Sequence, residues 1–165
     1  MRRSIISKFI LISTLLLLSS GSFAHDRIGR LGIGMSNQLK NDLPAISFKI
    51  QNSKSTAIGA LATIDTDDNT GGWGAGFKLY RNIFKEPQLN FYSGILAAII
   101  NEKQGSGTSK TGFQFDLTMG SEFSFTGLSS LGFSIEFGLS FNKINDFRVQ
   151  TVGDSFLVAA AHFYL

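Results

Sequence analysis

Between residues 111 and 141, large apolar side chains occupy every second position in two consecutive runs. In the first, Phe113, Phe115, Leu117 and Met119 alternate with Gly112, Gln114, Asp116, Thr118 and Gly120. In the second, Leu131, Phe133, Ile135, Phe137, Leu139 and Phe141 alternate with Gly132, Ser134, Glu136, Gly138 and Ser140. A period of two predicts strands with one apolar and one polar face. The polar face is the more telling of the two. It is built of Gly, Ser and Thr with one carboxylate per strand, where a water-facing sheet would carry abundant Lys and Glu. Small polar residues suit a cramped interior and large aromatic residues suit lipid. The pattern therefore predicts an inside-out sheet, the arrangement of a transmembrane β-barrel.

The first 24 residues read as a targeting segment. Arg2, Arg3 and Lys8 precede an apolar core from Phe9 to Leu18, and Ser22-Phe23-Ala24 places small residues where a signal peptidase cuts. The core is too short to span a bilayer comfortably, so cleavage after Ala24 is expected. Removing Arg2, Arg3 and Lys8 leaves 12 basic residues against 12 acidic ones, so the net charge of +3 belongs to the targeting segment. No nucleic-acid partner is expected of a neutral chain. With no cysteine, disulfides and a lipid-modified N-terminal cysteine are both excluded. Charged residues make up 16% of the chain, against about 25% in ordinary soluble domains. Residues 25–165 suffice for one domain and contain no apolar stretch long enough for a membrane helix, which leaves strands as the way to cross.

Eight strands are expected after residue 24, at about 27–36, 44–51, 56–65, 72–82, 88–100, 111–120, 131–143 and 154–165. Leu31, Ile33 and Met35 share a face in the first; Ile46, Phe48 and Ile50 do so in the second; Trp73, Ala75, Phe77 and Leu79 do so in the fourth. The facing of 56–65 and 88–100 is open, because Gly94 to Ile100 is apolar on both faces. The segments 37–43, 66–71, 101–110 and 144–153 form one set of connections, expected outside the cell. The segments 52–55, 83–87 and 121–130 form the other set, expected in the periplasm.

At the end of the chain Leu157, Ala159, Ala161, Phe163 and Leu165 alternate to the last residue. This terminus resembles the signal by which the barrel assembly machinery recognises outer-membrane clients, with Leu165 where Phe is usual. In length and strand number the chain resembles the small OmpA/OmpX-like eight-stranded outer-membrane barrels. The resemblance implies an all-β, eight-stranded antiparallel transmembrane barrel over 25–165, a monomer in contact with outer-membrane lipid and, during biogenesis, with the assembly machinery. It does not imply a particular function.

Inward parity selects Arg30, Lys49, Lys78, Asp116 and Glu136. An eight-stranded barrel has room inside only for side chains, and charges there must pair, so these five are expected to form a plug. His25 falls at the mature terminus, and His162 has inward parity without the His-x-Ser pattern of lipid A deacylases. Asp65, Asp67 and Asn69 place oxygen ligands at alternate positions, as a calcium loop does, but Gly is missing at the sixth position and Glu at the twelfth. Gly105-Ser106-Gly107 lacks the Lys-Ser/Thr of a phosphate loop. Trp73, Tyr80, Phe91, Tyr92 and Phe141 are candidates for interfacial aromatic girdles. No catalytic residue, metal or cofactor is assigned. The leading expectation is a structural or surface-interaction protein of the outer membrane. The alternatives are an outer-membrane enzyme acting on lipid A or phospholipid, and a soluble exported lipocalin-like barrel.

Overall fold

A computed structural model describes residues 27–41, 43–103, 108–153 and 156–165. The targeting segment, His25 and Gly105-Ser106-Gly107 lie outside these residues. The strands are β1 (Leu31–Ser36), β2 (Ala45–Gln51), β3 (Thr56–Asp65), β4 (Gly72–Glu86), β5 (Leu89–Lys103), β6 (Ser109–Phe125), β7 (Leu128–Lys143), β8 (Phe147–Thr151) and β9 (Val158–Tyr164). Each of β1 to β7 pairs antiparallel with the next, and β9 pairs with both β7 and β1. The result is a closed eight-strand antiparallel barrel with one extra strand, β8.

Closure comes from the side-chain pattern. The expected outward faces of the first, second and fourth strands are outward, as are Phe113, Phe115, Phe133 and Phe137. The two open strands are also settled. In β3, Ile58 and Ile64 point out while Ala57, Leu61 and Thr63 point in. In β5, Ile95 and Ile99 point out while Leu96, Ala98 and Ile100 point in. The inner face of β5 is apolar because it meets an apolar cluster of Leu39, Ala45, Leu61, Leu96, Ala98 and Ile100. Alternation fails where the lumen itself is apolar.

Three expectations need correction. The strands of the β4–β5 and β6–β7 hairpins run further than expected, to tight turns at Pro87-Gln88 and Thr126-Gly127, with Gly127 supplying a φ of 84°. The connection expected over 144–153 contains β8, and the last strand begins at Val158. Both β8 and β9 pair with β7: Leu139 opposes Thr151 and Glu136 opposes Val158. They therefore follow the same edge of β7, with Thr151 and Val158 bounding the interruption. The backbones crowd at this break, where a Cβ on Gly138 would lie 2.0 Å from the Leu117 carbonyl oxygen. Finally, Tyr80 and Tyr92 are luminal, edge to face at 5.4 Å, and so do not join a girdle. Phe91 stacks on Phe84 with centroids 5.2 Å apart, Trp73 faces outward, and Phe141 packs near Phe115.

The connection after β1 does not stand clear of the barrel. Gln38, Leu39 and Asn41 are buried, and this segment crosses the lumen to reach β4, β5 and β6 before Pro44 returns it to the wall.

Candidate functional site: the charged lumen

Inward parity on β2, β4, β6, β7 and β9 brings charged and aromatic side chains into a stack along the axis. At the end of the barrel where Arg27 and Leu165 lie, Glu122 is the centre. It accepts from Arg27 NH1 at 2.6 Å, from the Tyr164 hydroxyl at 2.5 Å and from Lys49 Nζ. The Arg27 guanidinium lies 4.2 Å from the Tyr164 ring centroid and also donates to the carbonyls of Ser129 and Leu131. Lys49 Nζ sits 4.6 and 4.8 Å from the ring centroids of Tyr80 and Tyr92. Such contacts favour a cation withdrawn from water.

One layer further in, Glu136 accepts from Lys78 Nζ at 2.5 Å and from the Tyr92 hydroxyl at 2.9 Å. Lys78 Nζ also donates to Gln38 Oε1 at 2.5 Å. The amide nitrogen of Gln38 donates to Asp116 at 2.9 Å, and the Gln114 amide donates to the same carboxylate at 2.8 Å. Gln114 also fixes the crossing segment, donating to the Gln38 carbonyl and accepting from the Lys40 N–H. Above this lies the apolar cluster that Leu39 completes.

Three cations, Arg27, Lys49 and Lys78, therefore accompany three carboxylates, Asp116, Glu122 and Glu136. Of the five residues expected inside, Lys49, Lys78, Asp116 and Glu136 are fully luminal. Lys78 pairs with Glu136, Lys49 pairs with Glu122, and Asp116 is held by two amides. Arg30 is corrected. It sits at the rim, donating to the carbonyls of Tyr164 and Leu165 and to Ser130. Its place is taken by Arg27, from the segment before β1. Glu122 lies beyond residue 120, where the expected sixth strand ends, on the part of β6 that continues to Phe125. Its parity was readable, since Phe123 and Phe125 continue the outward series past Ser121. Arg27 gave no such signal, because it lies in no strand.

The five terminal positions Leu157, Ala159, Ala161, Phe163 and Leu165 share the outer face, with Val158, His162 and Tyr164 inside. His162 Nε2 lies 2.9 Å from Ser47 Oγ, but its Nδ1 has no partner among the described residues. A Ser–His pair with no third group to orient the imidazole, sealed in a filled lumen, lacks the geometry of an activated nucleophile. The Asp65–Gly71 loop satisfies itself. Asp67 Oδ1 accepts from the N–H groups of Asn69 and Thr70 at 2.8 Å, and Asp65 Oδ1 accepts from the Asp67 N–H at 2.9 Å. Those backbone donors hold the exposed Asp67 carboxyl below the ordinary aspartate pKa. Among the described residues, no three His, Asp or Glu side chains converge as a metal site would require. The chain matches no protein-family model, no curated protein and no solved structure.

Proposed function

We propose that this chain is an integral outer-membrane β-barrel with a structural or surface-interaction role, its lumen plugged by its own side chains. One observation carries the reading: the barrel is inside out. Lys49, Lys78, Asp116, Glu122 and Glu136 are buried within, while Phe77, Phe113, Phe133, Phe137 and Leu139 are exposed without. In water so large a continuous apolar surface would drive aggregation; in lipid it is the solvated face. Each of the eight strands of the ring also has a hydrogen-bonded neighbour on either side, which satisfies most of the backbone groups that a bilayer cannot solvate. The lipocalin reading needs its aromatic residues inside and has the opposite support. The lipid-modifying enzyme reading has only the Ser47–His162 contact in its favour.

Expression of the full chain in a double-membraned bacterium tests the proposal. The protein is expected in the outer-membrane fraction, soluble only with detergent, with a gel mobility that shifts on boiling. Recovery as a soluble protein in the periplasmic wash would overturn it.

A further inference from the structure

The mouth of the barrel beside the β7–β8 hairpin holds a polar cup of about 340 Å³, within the range of about 300–1,000 Å³ common to small-molecule sites. Its floor is Asn142, 5% exposed. Asn142 directly opposes Arg148 across the β7–β8 ladder, as Ser140 opposes Gln150, so Asn142, Arg148 and Gln150 share the face turned to the lumen. Lys40 and Glu102 make further walls, and Asp146 and Arg148 stand exposed at the rim. Ile144 packs against the apolar cluster around Leu39, which closes the cup below with hydrocarbon. The walls are held in place from within the barrel. The Lys40 N–H donates to the Gln114 side chain, and Lys40 Nζ donates to the Gly153 carbonyl. One group is left over: Asn142 Nδ2 is buried with no partner among the described residues. A buried donor left unpaired is costly, and an acceptor supplied by a ligand removes the cost.

We infer that this cup binds a small zwitterion, a free amino acid with a polar side chain. The inference deepens the surface-interaction reading above and rests on it. The lining defines the ligand. Asn142, Arg148 and Lys40 offer donors, and two of them are cations, so they suit a carboxylate. Glu102 and Asp146 are acceptors with room for several donors each, so they suit an ammonium group. Two cations and two carboxylates leave the lining neutral, which favours a ligand that is itself neutral overall. A simple carboxylate would bring its charge to Glu102 and Asp146 without a counter-charge, and a simple amine would leave Asn142 unmet. Among the described residues no aromatic ring lines the cup, so a sugar finds no flat face to stack on. Because the lumen beneath is filled, the cup retains its ligand at the surface and does not pass it inward.

The test uses the full chain in detergent micelles, with folding checked by heat-modifiable mobility. Binding of L-glutamine is measured by equilibrium dialysis, beside N-acetylglutamine, which lacks the ammonium group, glutaminamide, which lacks the carboxylate, and glucose. Saturable binding of glutamine is expected, with each blocked derivative weaker by about tenfold or more, the worth of one charge-assisted hydrogen bond. Each variant should erase the preference for one end only. Arg148→Met should narrow the gap between glutamine and glutaminamide, and the double variant Glu102→Gln with Asp146→Asn should bind glutamine and N-acetylglutamine alike. Lys143→Met, outside the cup, should match the parent. Equal binding of all three glutamine compounds, or stronger binding of glucose, would overturn the zwitterion assignment. A barrel that shifts on boiling and fractionates with the outer membrane but binds no glutamine would overturn the site and leave the membrane reading intact. A chain recovered soluble from the periplasm that binds glutamine in this pattern would do the reverse.

Discussion

Lys78 and Glu136 show how a single side chain is tied to the stability of the wall. Neither is reached by water, and each holds the other's charge. Removing one partner strands a buried charge, a loss of about 3–5 kcal/mol, whereas removing both takes away attraction and desolvation together. Glu136→Gln is therefore expected to lower stability by that amount in urea unfolding from lipid vesicles. The double variant with Lys78→Met should regain most of the loss. If the two changes simply add, the charges are not acting as a pair. At the surface the relevant group is Asp67. Its pKa is depressed in the folded loop by the N–H groups of Asn69 and Thr70, so its contribution is present above the unfolded value and lost as pH falls through the folded one. Protection of the Thr70 amide from hydrogen exchange, corrected for the intrinsic rate, should be constant from neutrality to about pH 4 and fall below that. Asp67→Ala should abolish this dependence.

Strands were legible wherever alternation held, and the limits of that signal have physical causes. The outward series from Phe113 to Met119 and from Phe133 to Leu139 placed both faces correctly, because one face meets small polar residues and the other does not. Gly94 to Ile100 was ambiguous because Leu39 arrives from a distant connection to make the inner face apolar, and no local pattern encodes that arrival. The ion pairs followed the same logic, with Lys78–Glu136 available from parity and Arg27 available only from the folded chain. The last strand carries its own prediction. Residues Phe163 and Tyr164 pair with Ile33 and Gly32, Leu165 N–H donates to the Leu31 carbonyl, and the Tyr164 hydroxyl reaches Glu122. Deleting Phe163 to Leu165 removes two of the five pairs of that closing ladder along with the proposed assembly signal. The truncated chain is expected to be missing from the outer membrane and degraded in the periplasm, while Leu165→Phe assembles at least as well as the parent. Normal membrane levels of the truncated chain would show that this strand does not direct assembly.

On the scale of the whole molecule, the lumen is filled from end to end by Arg27, Glu122 and Lys49, then Lys78, Glu136 and Asp116, then Gln38 and Leu39 with their apolar neighbours. A barrel filled in this way is expected to give no large, stable current steps in planar bilayers, and reproducible porin-like openings from the purified protein would contradict the plug.

The unequal strand lengths give the ring a strong arc and a weak one. All 15 residues of β5 are matched on β6, whereas β1 is matched to β9 only from Gly32 to Ser36. The first and last strands meet in that short ladder. Under load or denaturant the ring should part there first, like a belt at its buckle, leaving β4 to β7 as a persisting sheet. Opening of this kind proceeds by units and not uniformly. In a hydrogen-exchange time course on the reconstituted protein, the amides of β1, β2 and β9 should lose protection first and those of β5 and β6 last. A single common rate around the ring would mean instead that the barrel opens as one body.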